Sequence, residues 1–213
     1  MLLLATANVA KARELAALLT GIPYRLRTLA DFPGVTLPPE GADSYVENAL
    51  AKARAAAAES GALALADDSG LEVDALGGAP GVLSARYGGE GLSDAERCAK
   101  LLEALKGVLP LKRSARFRCV IAIVEPAGRE ATPAGREATP AGREATVEGK
   151  VDGILLDEAV GTGGFGYDPI FYYPPLDATF AQLSAEEKQS VSHRGIAIAR
   201  ARALLQSWHR AAS

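Results

Sequence analysis

Two apolar runs too short to be helices, Leu2–Ala5 and Ala62–Ala66, each lie beside a stretch with helical spacing, and this pairing constrains the fold most. A run of four or five apolar residues bounded by polar ones reads as a buried strand. After the first run, Leu15, Leu18 and Leu19 recur at helical intervals up to Gly21, which can close a helix. Before the second, Ser44 and Glu47 have capping-box spacing and open an Ala-rich helix that Gly61 ends. The box recurs at Ser93 and Glu96, ahead of a face of Cys98, Leu101, Leu102 and Leu105, and again at Ser184 and Glu187. A last helix is expected from about His193 to Arg210. Arg116–Val124 and Val147–Leu155 read as the strands of an antiparallel hairpin, and Ile22–Gly41, with four prolines, as irregular chain or an edge strand. Helices interleaved with short buried strands predict an α/β protein.

Size and charge set the outer limits. A chain of 213 residues, 48% of them apolar, suits one domain, or two lobes sharing a core, and excludes disorder throughout. No apolar run approaches the ~20 residues that span a bilayer, and the start lacks a basic leader, so neither a membrane anchor nor a signal peptide is expected. A net charge of -3 argues against nucleic acid as a partner, because that affinity comes from summed phosphate neutralisation. The two cysteines, Cys98 and Cys119, are too few for a disulfide scaffold and fit the reducing cytoplasm as buried thiols. The heptapeptide Pro126–Thr132 recurs unchanged at 133–139 and 140–146. Each copy holds a Pro and a Gly, which break helices, so the repeat reads as a tandem duplication at the tip of the hairpin.

Four segments carry polar groups suited to chemistry. At the first strand-to-helix junction, Thr6, Ala7, Asn8, Val9, Ala10 and Lys11 offer a hydroxyl, an amide, an ammonium and a helix N-terminus to an anion. The plainer alternative is Asn8 as a cap and Lys11 as a solvated lysine. Asp67 and Asp68 follow the second strand, where open α/β sheets hold ligands, and strand alternation turns only one of them into a cleft. Hard carboxylate oxygens there suit Mg²⁺; an Asx turn before Gly70 is the alternative. The glycine-dense segment Gly161–Phe171 holds Phe165 and Tyr167, either of which could stack on a planar base or turn into the core. Finally Lys188, His193 and Arg194 gather at a helix start, where cations gain nothing from the dipole unless an anion binds, a solvated basic face being the alternative.

In this order, Thr6-x-Asn8-x-x-Lys11, Glu47–Ala53, Ala66–Leu71, Gly78–Gly81 with Ser84–Arg86, Gly161–Phe171 and Ser192–Arg194 closely resemble the motifs of the inosine/xanthosine triphosphate pyrophosphatase family. The resemblance spans nearly the whole chain; the triplicated heptapeptide departs from it. It implies a long twisted mixed β-sheet flanked by helices, in two lobes around a central cleft, and a homodimer. It implies a Mg²⁺-dependent hydrolase that converts the non-standard purine triphosphates ITP, dITP and XTP to monophosphate and pyrophosphate, cleansing the nucleotide pool. Carried onto this chain, Thr6 to Lys11 hold phosphates, with Lys52 and Lys188 among the phosphate ligands. Asp68 ligates metal and accepts a proton, with Asp67 the open alternative for the base. Ser69 and Arg86 touch substrate, Phe165, Gly166, Tyr167 and Asp168 hold the base, and Lys188, His193 and Arg194 complete the contacts. The second metal carboxylate lies shortly before the helix of Glu47–Ala53, which points to Glu40; the competitor Glu47 is assigned to the cap. Two rival functions stay open: a pyrophosphatase for pyrimidine or modified-base triphosphates, and a nucleotide sensor without catalysis.

Overall fold

The computed structural model describes residues 1–41, 44–127 and 142–212. Most of the triplicated heptapeptide, residues 128–141, lies outside them, and so does its expected place at a hairpin tip. The strands are β1 (Leu2–Leu4), β2 (Leu26–Thr28), β3 (Leu63–Val73), β4 (Ser114–Val124), β5 (Glu144–Leu155), β6 (Phe171–Tyr173) and β7 (Ala178–Thr179). They form one sheet in the order β2-β1-β3-β4-β5-β6-β7. It is mixed: β1 runs parallel to β2 and to β3, whereas β6 is antiparallel to β5 and to β7. The helices are α1 (Val9–Leu18), α2 (Tyr45–Ser60), α3 (Asp94–Ala104), α4 (Ala185–Val191) and α5 (His193–Ala212). Among the described residues no helix is long and apolar enough to cross a membrane.

The sequence misplaces a boundary that bears on the site. The second apolar run does not stop at Ala66; β3 continues through Asp67, Asp68, Ser69 and Gly70 to Val73. Turn-forming residues here sit inside a strand of the sheet, where strand pairing overrides local turn preference. The carboxylates are therefore mid-strand, and no Asx turn forms. The capping boxes at Ser93 and Ser184 close reciprocally. At α2 Ser44 Oγ accepts from Val46 N and Glu47 N, the forward half of the box, while the Glu47 side chain is exposed.

The chain divides into two compact units. The first comprises Met1–Asp68, Val120–Val147 and Ile198–Ser213. Its core holds Leu2, Leu3, Leu4, Leu15, Leu19 and Leu65, each worth about 2 kcal/mol when buried. The buried face of α2 is Ala49, Ala53, Ala56 and Ala57, small side chains that let a helix backbone approach its neighbours closely. Arg202 donates to the carbonyls of Leu18 and Thr20 at 2.9 and 2.7 Å, satisfying orphan acceptors after α1. The second unit comprises Ser69–Cys119 and Glu148–Ala197. Phe117, Phe171 and Phe180 form its aromatic centre, Phe171 lying 4.5 Å from Phe117 and 4.9 Å from Phe180 between ring centroids. Around them pack Leu71, Val73, Leu101, Leu105 and Leu155. A Cβ at Gly149 of β5 would fall 2.0 Å from the His193 carbonyl oxygen, so only glycine admits the start of α5 there.

Candidate active site

In the first unit, β1 feeds α1 through a short turn in which Asn8 N donates to Thr6 Oγ1. Asn8 Oδ1 accepts from Lys11 N at 3.0 Å and so caps α1. Capping and anion binding are compatible here, because the cap fixes the helix N-terminus with Ala7, Asn8 and Val9 exposed. Lys11 is not a freely solvated lysine. Its Nζ lies 3.1 Å from Asp67 Oδ2, with side-chain exposures of 16% and 0%.

The adjacent carboxylate takes different partners, as strand alternation requires. Asp68 Oδ2 accepts from Asn48 Nδ2 at 2.8 Å, and Asp68 Oδ1 lies 3.8 Å from Lys52 Nζ. Lys52 also meets Glu40 Oε1 at 2.6 Å, so one ammonium joins Glu40 to Asp68. Asn48 and Lys52 stand one turn apart on α2, and both are buried. Asn48 further exchanges both its amide groups with the Gly41 backbone, at 2.9 and 3.2 Å, fixing the chain beside Glu40. Burial pushes the Asp68 carboxyl above its ordinary range, Lys52 and the Asn48 hydrogen bond oppose this, and nearby Glu40 adds to the rise. Burial works to depress Lys52, but Asp67, Glu40 and Asp68 together win and raise it, so it stays charged. Among the described residues no three His, Cys, Asp or Glu side chains form a ready-made metal cage.

The second unit assembles another set. Asp168 Oδ2 accepts from Lys188 Nζ at 2.6 Å and from Phe165 N at 2.8 Å. Lys188 Nζ lies 4.6 Å from the Phe165 ring centre, and the Arg194 guanidinium carbon 5.5 Å from it. Arg194 is 2% exposed and donates to Ser69 Oγ at 3.0 Å. A half-buried aromatic ring thus has two buried cations over it, one of them neutralised by Asp168.

Three candidate residues make contacts that no local spacing foretells. Tyr167 is buried, and its hydroxyl donates to the Ser84 carbonyl at 2.9 Å, while burial raises its pKa. Lys188 contacts Asp168 and Phe165, beside the aromatic set. His193 stacks on Phe117 at 4.7 Å between ring centroids, with an interplanar angle of 13°, so its ring is part of the core. Arg86 lies exposed at the end of a 3₁₀ turn over Gly81–Arg86. Sequence reasoning gave no role to Asn48, which was visible only as a buried amide one helical turn before Lys52.

The family model described as the Ham1 family matches residues 2–204. A Desulforamulus reducens protein named dITP/XTP pyrophosphatase is 50% identical over 204 residues, 96% of this chain and 94% of its own length. A Thermus thermophilus protein of the same name is 45% identical over 205 residues, covering 96% and 90%. Among solved structures, a HAM1 protein from Coxiella burnetii aligns with a TM-score of 0.82 at 41% identity, covering 97% of this chain and 98% of its own. A Mycobacterium abscessus nucleoside-triphosphatase / dITP/XTP pyrophosphatase aligns with a TM-score of 0.71 at 40% identity, covering 93% and 97%.

Proposed function

The chain belongs to the Ham1 family, and from that membership we propose that it hydrolyses ITP, dITP and XTP to the monophosphate and pyrophosphate. The relatives' names support the substrate class. The observation that carries the reading is the pair Glu40 and Asp68 sharing Lys52, with Lys11 beside them on Asp67. A triphosphate needs cationic groups around its oxygens and a base near its attacking water, and this set supplies both.

Mg²⁺ binds through one or two carboxylates and leaves the rest of its shell to water and phosphate. Glu40 and Asp68 suit that demand as hard donors, and when bound the ion would neutralise phosphate oxygens. Lys11, Lys52 and the N-terminal amides of α1 hold the phosphate chain. Water attacks the α-phosphorus, its proton passes to an Asp68 oxygen, and the bond to the leaving pyrophosphate breaks. Asp68, joined to Glu40 through Lys52, is taken as the acceptor, while Asp67 Oδ2 pairs with Lys11. Asp67 then serves to aim Lys11.

Base recognition falls to the second set. Phe165 offers a stacking face, and buried Arg194 and Lys188 offer donors to a 6-oxo group. Adenine presents a donor at that position and so offers these donors no acceptor of its own, a mismatch able to cost ~10⁴-fold. The same reading makes the enzyme a cytoplasmic homodimer with neither nucleic acid nor membrane as partner. The test is steady-state hydrolysis of ITP, XTP, dITP, ATP, GTP and dTTP with Mg²⁺, identifying the products. Preference for the first three, with release of pyrophosphate, is expected. Preference for dTTP would favour the pyrimidine alternative, and binding without turnover would favour a sensor.

A further inference from the structure

We infer that the first turn of α3 is a clamp for the base-reading segment, with Asp94 and Cys98 acting as positioning residues that hold Gly166 and so aim the Phe165 ring. The inference rests on the reading of Phe165 as the stacking face for the base. Asp94 Oδ2 accepts from Gly166 N at 2.7 Å. One turn further on, Cys98 Sγ donates to the Gly166 carbonyl at 3.4 Å. Both backbone polar groups of one loop residue are thereby taken by side chains at i and i+4 of a single helix. The other end of Phe165 is fixed too, because its N–H donates to Asp168. The ring is held between two anchored peptide groups, under Lys188 and Arg194.

The anchors are themselves held. Asp94 Oδ1 takes Arg97 Nη1 at 3.0 Å, and Arg97 Nη2 donates to the Leu92 carbonyl at 2.8 Å, so the carboxylate is oriented from its second oxygen. Cys98 is buried, and burial, with Asp94 and Asp168 nearby, pushes its thiol up to about 11, so it remains a protonated donor at neutral pH. Gly166 has φ +61°, a left-handed conformation that other residues adopt at a cost. A loop of glycines has little reason of its own to keep one conformation, and the two side chains of α3 supply it.

The test is the ratio of kcat/KM for ITP to that for ATP, with KM and kcat resolved, in Asp94→Ala, Asp94→Asn, Cys98→Ala and Phe165→Ala. Losing a hydrogen bond to a charged acceptor is worth about tenfold or more. Asp94→Ala is therefore expected to raise KM for ITP about tenfold and to shrink the ITP/ATP ratio by a similar factor. Asp94→Asn keeps a carbonyl acceptor and should recover most of both. Cys98→Ala should give a smaller shift in the same direction. Glu96→Ala is the control for helix damage. It breaks the capping box beside Asp94 without touching Gly166, so it should lower thermal stability and leave the ratio unchanged. An Asp94→Ala enzyme with unaltered KM and ratio, beside a Phe165→Ala enzyme in which both move, overturns the clamp alone. If Phe165→Ala also leaves the ratio untouched, the base-site reading fails and the clamp with it. An equal loss of ratio in Glu96→Ala would make the effect a general weakening of α3 and overturn the proposal as well.

Discussion

Lys11 and Lys52 in the first unit meet three carboxylates, Glu40, Asp67 and Asp68, whereas in the second unit Lys188 meets the single carboxylate of Asp168 and lies with Arg194 over the Phe165 ring. In the proposed reading the first set takes a metal ion and the phosphates that come with it. The second, roofing an aromatic ring, wants a flat group rich in acceptors. Under the proposed function the phosphates fall to the first set and the base to the second.

The largest effect should come from the carboxylate with two roles. Asp68→Asn is expected to lower kcat for ITP by ~10³-fold or more, since it removes a metal charge and a base together. Asp67→Asn should cost far less, on the order of tenfold, through a misplaced Lys11. Equal, mild losses in steady-state assays of the two variants would remove the distinction between neighbouring strand positions.

Stability separates the two sets next. Asp168→Ala strips a buried lysine of its counter-charge and should destabilise the protein by about 3 kcal/mol or more, read from denaturant unfolding. Asp67→Ala should cost less, because Lys11 keeps partial access to water. The reverse order would show that the burial contrast does not govern the energetics.

How far the sequence carries this account depends on whether the signal is local. The reciprocal boxes at Ser93 and Ser184 and the capping role of Asn8 were legible because donor and acceptor lie within three residues. The mid-strand position of Asp67 and Asp68 was not, because Asp-Asp-Ser-Gly is turn chemistry until the flanking strands are known. β6 and β7, three and two residues long, carry no period to detect. The contact of Lys188 with Asp168 spans 20 residues and that of Lys52 with Glu40 spans 12, and no spacing rule joins either pair. Phe165 and Tyr167 differ by two positions in a glycine-rich segment without regular structure, so nothing local told which ring is core.

The smallest effect concerns the repeat. Glu125 N donates to the Arg143 carbonyl at 2.8 Å, and the two side chains form a doubly bonded ion pair, so the last copy supplies the partner of Glu125. Deleting 126–139 leaves Pro140, Ala141 and Gly142 to join them, a three-residue connection of ordinary length. Loop closure changes by only about 1 kcal/mol. ITP turnover should stay within about twofold and the melting temperature should rise slightly. Collapse of activity would make the repeat a working part of the enzyme.

The division of labour between the two sets is tested most directly by the ITP/ATP ratio of kcat/KM in Lys11→Ala and Arg194→Ala, measured side by side. Phosphate contacts carry no information about the base, so Lys11→Ala should depress both substrates by the same factor and leave the ratio near that of the unaltered enzyme. Arg194→Ala should depress ITP far more than ATP and drive the ratio down at least tenfold. A ratio that moves with Lys11 and holds with Arg194 would contradict the assignment of the two ends.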